Sequence, residues 1–393
     1  MNSAGLGKEI RHVADRLNCI AETDFRHLSI KETNPQLDPR WESFVMQHPE
    51  ASVYHHPAWL LALEQEYRQQ CAHLICEDSG GKLQGIFPLM YTRGLPFNRK
   101  RPLSGARLAS LPRTPLAGPL TADRRIAVLL LQEAVRRASG RPGVRLQIKT
   151  QGTGLSGLVD GVIAKPWRLT YLLHLSGDSS EPFRIPNSRN WASIKRAINK
   201  ATANGVRTRL AATEVDLAAW YRSYLETMRR NVVPARSYRF FLALWKSMMP
   251  KGLMRLLLAE QYKAAGSRII GGCIFFTFGR TATYAFGASQ TSDLGLRPND
   301  IIFWQAINDA RRDGFQVFDF GEVPEGNEGL ARFKSKWGAE PVRLHRYYYP
   351  DFPEAELSSE HNESLLAAMA NAVWRRLPLG VTSWLGDRVF ARL

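Results

Sequence analysis

Cysteine is scarce in this sequence: Cys19, Cys71, Cys76 and Cys273 are the only four in 393 residues. They form no Cys-x-x-Cys pair and have no histidines near them at zinc spacing, so neither a disulfide scaffold nor a structural metal site is indicated and free, mostly buried thiols are expected. No apolar run reaches the length of a bilayer-spanning helix. The N-terminal "MNSAGLGKEIRHVADRLNCI" is charged where a signal peptide has an unbroken apolar core, which leads us to expect a cytoplasmic protein. The G-x-x-x-x-G-K-[ST] phosphate loop and the G-x-S-x-G nucleophile elbow are both missing. His55-His56 is the only adjacent histidine pair, and neighbours on a regular element point to different faces. With no sustained Asp/Glu/His cluster, metal-assisted hydrolysis has little to stand on, and no metal is expected.

Acidic residues are also in deficit. Thirty-six Asp and Glu face 53 Lys and Arg, for a net charge of +17, which predicts attraction to nucleic acid, an anionic membrane face, or a phosphorylated substrate or cofactor. Hydrophobic residues at 44% and charged residues at 23% are those of a soluble, well-cored chain. Its length suffices for two domains of ordinary size.

Residues 1–38 read as a poorly patterned lead-in. From 39 to 178 the order is mixed α/β: an amphipathic helix "PAWLLALEQEY" with Trp59, Leu60, Leu63 and Tyr67 at helical spacing, a hairpin "HLICED-SGGK-LQGIFPLM", a helix "RRIAVLLLQEAVRRA", and strands "VRLQIK" and "LTYLLHL". A polar connector leads to the basic helix "NWASIKRAINKATANGV", stopped at Asn204-Gly205. Residues 185–350 then repeat the order: helices "VDLAAWYRSYLETMRR" and "YRFFLALWKSMM", strands "LMRLLLAEQ", "IGGCIFFTFG" and "TATYAFGAS", the helix "NDIIFWQAINDARRDG", and the strand "VFDFG". The fold class expected is α/β (α+β), two tandem modules with mixed sheets flanked by helices. In the tail, 355–393, Val381, Trp384, Leu385 and Val389 share a helical stripe beside Arg388 and Arg392. Such an end either lies on an anionic membrane or packs on the body.

Three stretches carry candidate chemistry. Between Arg184 and Arg209 stand seven cations (Arg184, Arg189, Lys195, Arg196, Lys200, Arg207 and Arg209) and no carboxylate. If 191–203 is helical, Trp191, Ile194 and Ile198 face inward, and Lys195, Arg196 and Lys200 face out, toward solvent or a polyanion. In "FGASQTSDLGLRPNDIIFWQAI", Asn299 or Asp300 can cap the following helix. In "FDFGEVPEGNEGLARFKSKWGAEP", Phe318 and Phe320 alternate inward and Asp319 the other way. Gly321, Gly326 and Gly329 permit a loop that approaches a ligand closely, and Lys334 can steady negative charge developing on an oxygen.

These stretches resemble the FemAB-like, BioF2-like acyltransferases of the GNAT superfamily, whose members are associated with peptidoglycan bridges and exopolysaccharide loci. The resemblance rests on the "GAS" strand end (Gly287, Ala288, Ser289), the "L-x-P-N" helix entry (Leu296, Pro298, Asn299), the "FDFG" strand end, and the "GL-x-x-FK-x-x-WG" loop (Gly329, Leu330, Phe333, Lys334, Trp337, Gly338). "YHHPAWLLAL", "GKLQGIFPLM" and "IKRAINKATANGV" extend it over roughly residues 40–350. It implies two GNAT-like modules, and attack by an amine on an activated acyl or aminoacyl group through a tetrahedral intermediate, without a covalent enzyme intermediate. Lys334 is then expected to stabilise charge, with Asp319 and Glu322 handling the amine proton. Ser289, Gln290, Asn299, Gly321, Arg332, Trp337, Lys195 and Arg196 are expected to bind donor or substrate. The family's usual pyrophosphate loop is replaced here by "SDLGLRPND", so the co-substrate stays open between acyl-CoA and aminoacyl-tRNA, with no bound cofactor. The acceptor implied is an amine of an envelope or polysaccharide precursor, reached from the cytoplasm or the inner membrane face; a non-catalytic GNAT-fold protein that binds nucleic acid or a synthase complex is the alternative.

Overall fold

The computed structural model describes residues 27–94, 105–175, 183–264, 266–351 and 373–390. Strands β1 (Leu28–Glu32), β2 (Leu74–Asp78) and β3 (Leu83–Phe87) make a small antiparallel sheet. β1 lies inside the segment read as a lead-in; its register with β2, Leu28 opposite Asp78 through Glu32 opposite Leu74, builds it into the first half.

A second sheet has ten strands. Their order across it is β4 (Met90–Thr92), β5 (Arg107–Ala109), β6 (Arg145–Thr150), β13 (Glu340–Tyr349), β7 (Ile163–His174), β12 (Val317–Val323), β11 (Thr281–Ser289), β10 (Gly266–Phe278), β9 (Met254–Lys263) and β8 (Val206–Leu210). The fold is mixed α/β, with two sheets flanked by helices. The halves do not part at the connector, however. β7, from the first half, runs between β12 and β13 of the second, antiparallel to both, and β13 pairs onward with β6.

Nine α-helices with eight or more described residues are present, most of them opening on a local signal. Helices α1 (Pro39–Gln47) and α2 (Pro57–Tyr67) each begin on proline, whose missing N–H is no loss in a first turn. α3 (Arg124–Ser139) is capped by Asp123, and α4 (Ser188–Ala203) by Asn187. α5 (Glu214–Arg230) opens with a Thr213/Asp216 capping box, and α6 (Tyr238–Met248) with Ser237. α7 (Pro298–Arg312), α8 (Glu328–Ser335) and α9 (Leu379–Phe390) complete the set.

α2 is not the amphipathic helix its spacing suggests. Eight of its 11 residues are buried, because α6 of the second half covers the side away from the first-half core. One apolar cluster accordingly joins Trp41, Trp59 and Leu63 to Trp220, Phe240 and Phe276. Around Phe303, Phe318, Phe320 and Trp337 a second cluster fills the space between α7 and the sheet. The Gly152–Gly157 string spells Gly-x-Gly-x-x-Gly but forms turns between β6 and β7 and opens no helix, so it lacks the dinucleotide-loop context.

Two further expectations change. The stretch after Gly321 is not all loop, since Asn327 caps α8 by accepting the Leu330 N–H at 3.1 Å. The tail helix α9 docks on α5 and on the turn after it, where a Cβ on Gly386 would lie 2.1 Å from the Ala235 carbonyl oxygen, and of the expected stripe Val389 packs on the core. That leaves Val381 and Trp384 outside, 39% and 53% exposed, with the Arg388 guanidinium 4.1 Å over the Trp384 ring. Cys19, Arg392 and most of 355–393 lie outside the described residues. Among the described residues no helix is long and apolar enough to cross a membrane.

Candidate active site

β11 and β12 run parallel but pair only over Thr281–Thr283 with Val317–Asp319. Beyond that point they separate. On β12, Gly321 takes φ +73°, and a Cβ there would stand 3.1 Å from the Tyr284 carbonyl oxygen; only glycine accepts both conditions easily. β11 has a bulge against β10, with Tyr284 opposite Phe275 and Phe286 opposite Ile274. Bulges re-aim side chains, and here successive residues turn toward two different clefts.

The first cleft has a volume of about 210 Å³ and presents Thr170, Asp319, Gly321, Glu322, Arg113 and the rings of Tyr54 and Phe286. Asp319 is its buried acid. Its Oδ1 accepts the Thr170 hydroxyl at 2.6 Å and the Gly321 N–H at 2.8 Å. Burial raises its pKa above the ordinary aspartate value, and these two hydrogen bonds work the other way. Glu322 faces the Arg168 guanidinium at 3.5 Å.

A strap, residues 111–116, forms one wall. Leu111 and Arg113 both take positive φ, 61° and 50°, at a cost of about 1–3 kcal/mol each. Two buried basic side chains hold it: the Lys149 Nζ donates to the Leu111 carbonyl, and Arg236, ion-paired with Glu66, donates to the Arg113 carbonyl at 2.9 Å.

The second cleft, about 260 Å³, lies on the other side of β11. Gly287, Ala288 and Ser289 line it with Asn299 and Phe303 of α7, Phe333 and Lys334 of α8, and Thr227 and Arg230 of α5. The Lys334 ammonium donates to the Gly321 and Glu322 carbonyls at 2.7 and 2.9 Å, leaving one N–H. Burial lowers its pKa to about 8, against the pull of Asp319 and Glu322. Tyr284 lines both clefts.

Of the residues expected from sequence, Asp319, Glu322 and Gly321 therefore meet in the first cleft, and Lys334, Ser289 and Asn299 in the second. The rest do not join them. Asn299 and Asp300 do not cap α7, which starts from Arg297 in a left-handed conformation without a side-chain cap. Instead the Ser289 hydroxyl donates to Asn299 Oδ1 at 2.6 Å, and buried Asp300 pairs with Lys336. Gln290 turns to the Ile269 carbonyl. Trp337 is 0% exposed and belongs to the core, so it cannot stack on a ligand. Arg332 is exposed beside Glu328, 3.6 Å away. Lys195 and Arg196 lie on the outer face of α4, lining neither cleft. Arg209 does find acidic partners, at 2.7 Å from Asp216 and 2.9 Å from Glu260.

Sequence reasoning missed Thr170, Tyr284 and Arg113. Thr170 and Tyr284 sit on strands whose alternation is visible, but the register that brings them to Asp319 and to β12 is not. The structure also gathers Glu64, Cys71 and His73, whose donor atoms lie within 4.8 Å of one another. His73 Nδ1 accepts the Leu89 N–H at 3.1 Å, so the ring proton sits on Nε2 and points to Glu64 at 3.3 Å. That tautomer has no lone pair to offer a cation.

Residues 188–335 match the family described as acetyltransferase (GNAT) domain. Among solved structures, FemX superposes with a TM-score of 0.59 at 14% identity, over 85% of this chain and 100% of FemX. A C-terminal DUF2156 domain of Agrobacterium fabrum, ascribed to a lysylphosphatidylglycerol synthetase, gives 0.56 at 12% identity, over 87% and 97% of the two chains. L-PGS from Bacillus licheniformis gives 0.55 at 12%, over 88% and 99%. No curated protein matches the sequence. Residues 188–335 are thus similar to a GNAT acetyltransferase domain, and the chain shares its fold with FemX.

Proposed function

We propose that this GNAT-domain acyltransferase of FemAB-like fold transfers an activated acyl or aminoacyl group to an amine of a cell-envelope or exopolysaccharide precursor. The observation that carries the reading is the pair of clefts on either side of β11, one holding a buried carboxylate and the other a buried ammonium. Past Thr283 the β11 edge facing β12 has no strand partner among the described residues, so an extended donor arm can hydrogen-bond along it as a strand would.

The chemistry follows from that arrangement. The donor, an acyl-CoA thioester or an aminoacyl-tRNA ester, lies in the second cleft with its carbonyl carbon at the junction. An amine enters the first cleft. Its nitrogen bonds to the carbonyl carbon, its proton passes to the Asp319 carboxylate, and the bond to the leaving sulfur or ribose oxygen breaks; the leaving atom regains a proton from solvent. Asp319 suits the proton step because its raised pKa brings it closer to a working base. Lys334 holds the Gly321–Glu322 turn and offers its remaining N–H to negative charge.

The likeness to FemX and to a lysylphosphatidylglycerol synthetase domain supports aminoacyl transfer to an envelope component, and the positive charge suits a tRNA donor. The GNAT domain supports acyl-CoA. Work at the inner face of a bacterial membrane fits Trp384, Val381, Arg375, Arg376 and Arg388, which face outward around α9. We further propose that residues 39–178 and 185–350 are two modules fused through β7, the second placing the acyl donor and the first the acceptor.

A second reading, a non-catalytic polyanion binder, draws on Lys195, Arg196 and Lys200, exposed on α4 without an acidic partner among the described residues. Comparing Lys334→Ala with a charge-reversed Lys195/Arg196/Lys200 triple separates the two. An enzyme loses turnover with the first; a binder keeps its affinity there and loses it with the second.

A further inference from the structure

Tyr284 occupies a position the reaction as described leaves unused. Among the described residues it alone lines both clefts. Its ring lies back along its own strand over Gly287, where a Cβ would stand 2.2 Å from the hydroxyl oxygen. Phe303 braces it at 5.0 Å and Phe275 at 6.0 Å. The ring is therefore fixed on three sides, and its hydroxyl makes no hydrogen bond with any described residue. Tyr284 is half-buried, so a hydroxyl held in place here is open to water or to a ligand that accepts from it. Burial also raises the pKa of this phenol, so it keeps its proton and serves as a donor, not a base.

We propose that Tyr284 is a catalytic residue of the transfer, whose O–H donates a hydrogen bond to the carbonyl oxygen of the acyl group at the junction of the two clefts. The inference rests on the acyltransferase reading above and adds to it the group that holds the reacting oxygen. As nitrogen bonds to the carbonyl carbon, the electron pair of the C=O moves onto oxygen and the bond from Tyr284 strengthens. When the leaving group departs the pair returns, and the tyrosine has neither gained nor lost a proton. A donor that tightens only as charge develops lowers the barrier without tightening ground-state binding.

The test is Tyr284→Phe in the full chain, with acetyl-CoA as donor and a pool of amino sugars and peptides as acceptors. Phenylalanine keeps the ring and its braces and removes an oxygen with no partner among the described residues, so thermal stability and the calorimetric Kd for acetyl-CoA stay at wild-type values. Turnover falls about 10²-fold, the typical loss of one oxyanion donor, and the pH profile keeps its shape. Wild-type turnover in Tyr284→Phe overturns the inference, as does a loss confined to donor affinity. If the wild type itself acylates no amine from acetyl-CoA or from an aminoacyl-tRNA pool, the acyltransferase reading fails first and this assignment with it.

Discussion

The Thr170 hydroxyl donates to Asp319 Oδ1 at 2.6 Å, across 149 residues of sequence. Thr170 stands on β7 of the first half and Asp319 on β12 of the second, where the strands pair antiparallel. The acid of the site is thus oriented by a strand that the other half contributes. Separate halves would not reproduce it.

Asp319→Asn tests the proton step directly. The amide preserves the size of the side chain and its carbonyl oxygen still accepts from Thr170, so the melting temperature at neutral pH changes little. Turnover drops about 10²–10⁴-fold, the usual contribution of a positioned base. Thr170→Val removes one of the two hydrogen bonds that hold the Asp319 pKa down, and the acidic limb of the pH–rate profile moves upward, by about one unit if that bond is worth ~1.4 kcal/mol.

Lys334 gives a pH signature in stability. Its folded pKa, about 8, lies below the ordinary 10.5. Between those values the unfolded chain carries a proton that the folded chain has lost, so stability rises with pH. The contribution is complete above 10.5 and is lost as pH falls through 8. Denaturant titrations across pH 8–10.5 should show a wild-type gain, on the order of 3 kcal/mol, that Lys334→Met lacks.

Trp337 and Arg332 separate core from site. Trp337→Ala empties a fully buried position packed against Phe303 and Phe333 and costs about 3–5 kcal/mol, readable as a lower denaturation midpoint. Arg332→Ala, at a side chain 78% exposed, leaves both stability and turnover at wild-type levels.

These two residues also show where sequence reading stops. The "FKSKWG" stretch sets aromatics among cations, which looks like a ligand surface. In the fold, Trp337 turns inward under α7 and Lys336 bonds Asp300. Neither orientation has a local signal. Residues 328–335 read as loop because Gly329 weighs against a helix, yet the Asn327 cap was there to be seen. α2 was legible to the residue, 57–67, while its burial on nearly every side depends on α6, far along the chain. The strand end at Ser289 was legible from alternation, whereas β12 does not break at Gly321 but runs through it to Val323, held by pairing with β7. The separation of β11 from β12 into a cleft, and the insertion of β7 between β12 and β13, are matters of register, which no sequence period records.

Glu66 and Arg236 form a buried ion pair, and Arg236 also holds the strained strap at Arg113. Glu66→Ala strands a buried guanidinium and costs about 3–5 kcal/mol. Chemical denaturation measures that loss. In the folded fraction, donor affinity persists while acceptor KM rises, because the strap lines the first cleft alone.

In the acyltransferase reading the gap between β11 and β12 receives the acyl donor. Calorimetric titration of acetyl-CoA and of an aminoacyl-tRNA pool into wild type, Gly287→Val and the charge-reversed Lys195/Arg196/Lys200 triple tests it most directly, at low and moderate salt. Valine at 287 collides with the Tyr284 hydroxyl, since even a Cβ there would lie 2.2 Å from it. One donor is expected to bind wild type saturably and in an acyl-dependent way, with binding that survives moderate salt and is lost in Gly287→Val. Salt-sensitive binding of any RNA, abolished in the triple and untouched in Gly287→Val, would contradict it.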